Sequence, residues 1–444
     1  MTNVKTIIYA PANNMNLSST VFYFKKGSSG SNISGFNIIA DKTGIIVNNT
    51  NNIKISNNNI TQASDSSIII ENSKNIEISY NSIIKNNNGI NIKSSENITI
   101  NKNNITDNKG NGIRILSSKD TAIVNNNIKN NSKNGISMQK TSKTEISNNI
   151  INENKINGIE LIEKTENSYI SKNNISRSSR GILIDSDSKN DTIISNNIKT
   201  NLENGNIDEY HNAIGILFGY KYNERNEAPT INNNAFYGNS RFSVRGNLDL
   251  IKVTIGSNWY GSNYESYSGL CPKINSNLIT AKLVKSKNDY MLIFYDGDKI
   301  ATNLASFDVT FLNGGNKKAV SVKNGIATFN PKKTSDLVSV WVDRDIITLN
   351  GNSNDPDSGV YGFDIIAEEV GNGEIADFIN SKFNNIASKK SGPQEGDSEE
   401  SSNPKEIFIE DNKLLKMEDN SYLTYVAMIL ALFIVFAGYI IKKR

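Results

Sequence analysis

An internal repeat limits what this chain can fold into. The string Asn-x-Ile recurs with its Ile at Ile60, Ile83, Ile105, Ile128, Ile150, Ile175 and Ile198, at spacings of 23, 22, 23, 22, 25 and 23 residues, and Ile38 extends the series backwards. A second series in the same phase is Gly-Ile, with glycines at Gly44, Gly89, Gly112, Gly135, Gly158 and Gly181 and with Ser67-Ile68 filling the missing step. A third apolar patch completes each period, at Ile53/Ile55, Ile76/Ile78, Ile98/Ile100, Ile123, Ile146, Ile170 and Ile194. The runs alternate with period two, as in Ile90-Asn91-Ile92 and Ile113-Arg114-Ile115, which is a strand with one face inward. Three such strands in about 22–23 residues leave too few turn residues for hairpins, yet suffice for one coil of a parallel β-helix, each strand pairing with its counterpart about 4.8 Å away in the next coil. A leucine-rich repeat has a similar period but needs an L-x-x-L-x-L pattern that these Ile-rich coils lack. The expected fold class is therefore all-β: a parallel β-helix over residues 1–270, about ten coils long.

Composition matters because the repeat is built on one residue. Of 444 residues 74 are Asn, and 54 of those fall in the first 250 positions. Two residues before each Ile of the first series stands Asn58, Asn81, Asn103, Asn126, Asn148, Asn173 or Asn196, which strand alternation turns inward with the Ile. A buried amide is costly unless paired, but identical amides stacked coil on coil each donate to one neighbour and accept from the other, so a structural Asn ladder is expected. The glycine column is expected at a sharp turn that needs positive φ.

The same counts exclude much chemistry. One His (His211) and one Cys (Cys271) rule out multi-ligand His/Cys zinc sites, internal disulfides and iron–sulfur clusters, so any metal would have to be held by oxygen ligands; no metal and no cofactor is expected. Lys and Arg number 48 against 45 Asp and Glu, a dispersed net charge of +3 that points to no nucleic-acid partner.

Beyond Ile198 the period is broken by an insertion over residues 200–212 that carries Asp208, Glu209, Tyr210 and His211, read as a solvated turn extension. Aromatic residues then crowd positions 236–267, where large side chains would cap the last open coil, with a sugar-stacking platform as the competing reading. Residues 277–350 change to Val/Phe/Lys strands separated by Asp-Gly, Gly-Gly and Asn-Gly turns, a small β-sandwich of Ig-like type. Residues 351–390 are ambiguous and in part helical by pattern; residues 391–420 hold nine acids and three Lys, a solvated stalk. Tyr422 to Ile441 is twenty residues without charge, enough for one transmembrane helix. The basic tail Lys442-Lys443-Arg444 places the C-terminus inside the cell and the preceding domains outside it, a single-pass protein of the cell membrane. The first nineteen residues contain no secretory leader, so the chain is expected to start downstream of one.

The run SGSNISGFNI (Ser29 to Ile38), the serial NNNI and NGI coils, the SNWYG at Ser257 to Gly261 and the VTFLNGG…VKNGIATF segments together resemble the asparagine/threonine-rich adhesin-like surface proteins of methanogenic archaea, over residues 1 to 350. That resemblance implies right-handed β-helix repeats, Ig-like modules and cell-surface anchoring. The coils are also similar to those of the NosD copper-accessory group and of pectate lyases, which share the fold and not the chemistry.

Two functions are open on this reading. The first is a non-catalytic surface protein, adhesive or wall-forming, whose outward positions (Asn91, Arg114, Ser137, Glu160, Leu183) vary beside a fixed interior and whose partners are surface glycans or other cells. The second is a polysaccharide lyase or glycoside hydrolase, which needs clustered carboxylates and a base; Asp185 and Asp187, with Arg180 in the preceding turn, are the best candidates. Of the Asn-x-Ser/Thr sequons, Asn59, Asn97, Asn104 and Asn174 are the candidate N-glycosylation sites.

Overall fold

The computed structural model describes residues 7–9 and 19–352, apart from residues 186, 200–213, 220–228, 238, 240–241, 247–252, 264–277, 287–288, 314–315, 332–337, 344 and 350. The insertion over residues 200–212, the segment 351–390 from residue 353 on, the acidic stalk, the hydrophobic run Tyr422 to Ile441 and the basic tail lie outside the described residues. Among the described residues no helix is long and apolar enough to cross a membrane.

The period-two runs form three parallel sheets of ten strands each, and every coil adds one strand to each. The first sheet takes three-residue strands such as Asn59–Thr61 and Ser82–Ile84; the second takes the Gly-Ile runs such as Ser66–Glu71 and Asn88–Lys93; the third takes runs such as Lys74–Ser79 and Glu96–Asn101. Register is strict: Ile60, Ile83, Ile105 and Ile128 lie opposite one another, and the chain of pairings continues through Ile151, Ile175 and Ile198. All of these are fully buried in one continuous apolar column. Parallel pairing of identical residues is what lets a β-branched side chain stack on its own copy.

The Asn ladder exists, with one correction. Asn58, Asn81, Asn103, Asn126, Asn173 and Asn196 are buried as expected, but Asn149 holds the place assigned to Asn148. The inward Ile of that coil is Ile151, opposite Ile128, while Ile150 is 52% exposed. Asn148 instead occupies the left-handed turn with φ 56°. The ladder also runs further than the repeat suggested, through Asn234 and Asn258. Along it each Nδ2 donates to the Oδ1 of the next coil at 3.0–3.1 Å. That Oδ1 accepts in addition the backbone N–H of the preceding ladder residue, and Nδ2 also reaches a backbone carbonyl, as Asn126 does at Ile100 (2.8 Å). The residue before each ladder Asn from Asn58 to Asn234 has positive φ: Asn57, Tyr80, Lys102, Asn125, Asn148, Lys172, Ser195 and Asn233. That turn swings the next side chain inward, and Asn tolerates it better than most residues do.

A second amide ladder went unseen in the sequence. Asn86, Asn108, Asn131 and Asn154 stack at a different corner with Nδ2–Oδ1 distances of 3.2, 2.9 and 2.9 Å. At the third corner Ser73, Ser95 and Ser118 do the same with hydroxyls, each accepting a backbone N–H from the previous coil.

The glycine column has a cause other than the expected one. None of Gly44, Gly89, Gly112, Gly135, Gly158 and Gly181 has positive φ. The coils approach so closely there that a Cβ on Gly44, Gly112, Gly135 or Gly158 would sit 2.7 Å from the carbonyl oxygen of Ser67, Gly135, Gly158 or Gly181 in the next coil. Glycine is present for close approach and not for turn conformation.

A small antiparallel β-sandwich follows. Ile279–Ser286, Asp289–Asp296, Lys299–Ile300 and Ile326–Phe329 form a four-stranded sheet, and Asp308–Asn313, Asn316–Ser321, Val338–Val342, Asp345–Thr348 and Gly351–Asn352 a five-stranded one. The run KKAVSVKNGIATFN splits between the two, because Asn324 and Gly325, both at positive φ, reverse the chain.

The join is made by the SNWYGSN segment. Tyr260 stacks on Phe236 in the β-helix interior (5.4 Å, 7°), while Trp259 meets Phe294 edge-on (5.1 Å, 86°) in the sandwich core. Around them Ser257 Oγ donates to Asp296, Ser262 Oγ and the Asn263 N–H donate to the buried Asp345 carboxylate, and the Ala305 N–H donates to the Asn233 carbonyl. Of the aromatic residues here Phe218, Phe236, Trp259 and Tyr260 are all buried; Tyr264 and Tyr267 lie outside the described residues.

Candidate binding surface

Strand alternation sends Asn91, Arg114, Ser137, Glu160 and Leu183 to the outer face of the second sheet, paired in that order. Glu160 is the most firmly held of them. Its carboxylate accepts the Ser137 hydroxyl at 2.6 Å and the Asn134 amide at 3.0 Å on Oε2, and the Asn157 amide at 3.1 Å on Oε1. Asn134 and Asn157 precede column glycines, so the Asn-Gly-Ile motif that builds the coil also builds this cradle. In the sequence Glu160 is one variable outward position among five, and the signal for its cradle is the pair of Asn-Gly dipeptides one coil apart.

Arg180 begins the next strand, Arg180–Ile184, opposite Asn157, and Asp185 follows that strand. The Asp185 carboxylate lies over Gly219 in the following coil, where a Cβ would come 2.6 and 2.7 Å from its two oxygens. Asp187 is exposed beyond it in a left-handed turn with φ 61°. Among the described residues no group of three or more His, Cys, Asp or Glu is placed to hold a metal ion.

A groove runs along the corner between the second and third sheets. It encloses about 550 Å³ and crosses four coils, lined by Asn72, Ser94, Ser117 and Lys140 at the turn and by Lys74, Glu96 and Lys119 beside it. Asn72, Ser94, Ser117 and Lys140 all have positive φ, which holds the residue after each one inward. Glu96 lies between Lys74 (2.8 Å) and Lys119 (3.2 Å), and those two ammonium groups hold its carboxyl below the usual carboxylate range. The groove thus offers hydroxyls and charged groups at the coil spacing, with the Asn72 amide at one end. Outside the groove lining Tyr80 and Tyr169 are exposed at 53% and 44%, and Lys102 sits over the Tyr80 ring.

The sequon residues differ in accessibility. Asn97 is exposed at positive φ, its Nδ2 donating to Asn75, whereas Asn59 is half-buried and bonded to Asn37 at 2.7 Å. Asn104 and Asn174 are half-buried acceptors for the amides of Asn127 and Asn197.

A family model described as a right-handed β-helix region matches residues 22–174. No curated protein matches the chain. Among solved structures, the chain is similar to the periplasmic alginate epimerase AlgG at 16% identity and a TM-score of 0.38, covering 56% of this chain and 58% of that one. The A-module of the mannuronan C-5 epimerase AlgE6 of Azotobacter vinelandii matches at 14% identity over 51% of this chain and 63% of that one, with a TM-score of 0.44. The DFA-IIIase of Arthrobacter chlorophenolicus A6 matches at 16% identity over 58% and 71%, with a TM-score of 0.43. The chain spans between half and three fifths of the length of the AlgG structures it matches. At such identities the likeness concerns the β-helix fold.

Proposed function

We propose that this chain is a non-catalytic, adhesin-like surface protein whose β-helix is a rod that presents a polar face for glycan contact. The observation that carries this reading is the groove of hydroxyl and charged groups repeated over four coils, which suits a polyhydroxylated chain lying along the corner. Elsewhere on the rod the exposed rings of Tyr80 and Tyr169 are separate stacking surfaces of the kind sugars use. The uncharged run Tyr422 to Ile441 would anchor the rod in the cell membrane with the ectodomain outside, in keeping with the adhesin-like resemblance. A glycan array probed with the full chain in detergent, paired with a turnover assay on the bound glycans, tests it. Retention without product supports the reading, and product release overturns it. Protease shaving of intact cells should release fragments of residues 20–350 and leave the C-terminal segment with the membrane.

A carbohydrate-active enzyme is the second reading, favoured by the anchored Glu160 carboxylate on the outer face of the second sheet, one coil before the strand Arg180–Ile184 and Asp185. Product release abolished by Glu160→Gln would establish it.

A further inference from the structure

One interior position changes character along the rod. Ile53, Ile76 and Ile98 stack in the third sheet, and the next four coils place Thr121, Thr144, Ser168 and Asp191 in the same column. All four are at most 2% exposed, and among the described residues Thr121 Oγ1, Thr144 Oγ1, Ser168 Oγ and Asp191 Oδ2 have no hydrogen-bond partner. Asp191 Oδ1 accepts a single bond, from the Ser168 N–H at 2.9 Å. An ionised carboxylate buried on one hydrogen bond is poorly solvated, whereas a neutral carboxyl needs no counter-charge and offers its own O–H to the hydroxyl-rich column above it.

We propose that Asp191 is a proton-binding site inside the β-helix: folding draws a proton onto its carboxyl, so the coils around it are held more firmly in mild acid than in alkali. Nothing in the repeat requires an acid there, since Ile fills the same place in the earlier coils. Burial is the dominant influence and pushes its pKa up to about 7, against the Ser168 N–H and hydroxyl, which lower it. The Ser168 hydroxyl is near enough to act through its dipole, although it meets neither carboxylate oxygen in hydrogen-bonding geometry. The charged group acting from the preceding coil is Glu166, which raises the pKa further and is itself tied to Lys189 at 3.4 Å. From the following coil the described neighbours are Pro229 and Thr230, neither of them ionisable, and the rest of the interior is the apolar Ile core.

The folded pKa lies above that of the unfolded chain, so between about pH 4 and pH 7 the folded state holds a proton that the unfolded state has released. The stabilisation is complete at the acid end of that window and is lost as pH rises through about 7. The test is equilibrium unfolding of the full chain in detergent, followed by circular dichroism across this range, for the parent and Asp191→Asn. The parent's unfolding constant should rise relative to that of the variant by up to about tenfold per pH unit, then run parallel to it above the window. Equal pH slopes, or a variant less stable than the parent at alkaline pH, overturn the proposal. If the variant does not fold, infrared spectroscopy of the parent decides: a protonated-carboxyl carbonyl band should persist at about pH 6, where exposed carboxylates have ionised. Its absence there also overturns the proposal.

Discussion

Trp259 and Tyr260 are consecutive in the chain and end in different hydrophobic cores, Tyr260 stacked on Phe236 of the last coils and Trp259 against Phe294 of the sandwich. Strand alternation makes this possible, since neighbouring residues face opposite sides. A dipeptide therefore fastens the two folds with one side chain in each. Trp259→Ala should cost about 3–5 kcal/mol by emptying the sandwich core. Calorimetry would show the sandwich melting ahead of the β-helix in that variant, where the parent melts them together.

The amide ladder separates residues that the sequence alone makes look alike. Asn126→Ala removes the acceptor used by the N–H and the amide of Asn103 and leaves the carbonyl of Ile100 without its donor. The Asn103 amide keeps the carbonyls of Ile78 and Asn101, so at about 1–3 kcal/mol for each of the two remaining groups the variant should lose at least about 2 kcal/mol in urea unfolding. Asn148→Gly, one coil along, should be near neutral because that residue only supplies a left-handed turn.

Steric and conformational glycines respond differently to the same replacement. Gly30 has φ 82° and open space within 4 Å of where a Cβ would stand, so Gly30→Asn should change stability by less than about 1 kcal/mol, Asn being at ease in that region. Gly112→Asn would drive a side chain into the Gly135 carbonyl and the Ile128 methyl, at 2.7 and 2.8 Å, and should cost about 2–3 kcal/mol or block folding. Thermal unfolding of the two variants checks the contrast.

Glycosylation should follow exposure. In a host that modifies exported Asn-x-Ser/Thr sequons, glycopeptide mass spectrometry should find Asn97 occupied more fully than the half-buried Asn59 or Asn104. Equal occupancy at Asn97 and Asn59 would count against accessibility as the controlling factor.

The fold was legible because a 23-residue period leaves a coil few choices, and Ile in all three runs names the inward positions. What misled was local. Asn148-Asn149-Ile150-Ile151 offers two readings of Asn-x-Ile, and the first match gave uneven steps of 22 and 25, where Ile151 gives 23 and 24. The second ladder at Asn86, Asn108, Asn131 and Asn154 was hidden because no Ile stands two residues after Asn86, Asn108 or Asn131. The Glu160 cradle and the buried Asp191 depend on what lies one coil away, a relation that a strand pattern read along the chain does not show.

The pins at Trp259 and Tyr260 also bear on how the rod would meet mechanical load. A solenoid comes apart most easily by peeling its last coil, one strand at a time, because each coil rests only on its neighbours. Here the final coil is sewn into a second fold through Tyr260, Trp259 and the Ser262–Asp345 bond, so peeling from that end must first open the sandwich. A force applied beyond residue 352 would then meet a ratchet stop before it reached the first amide rung.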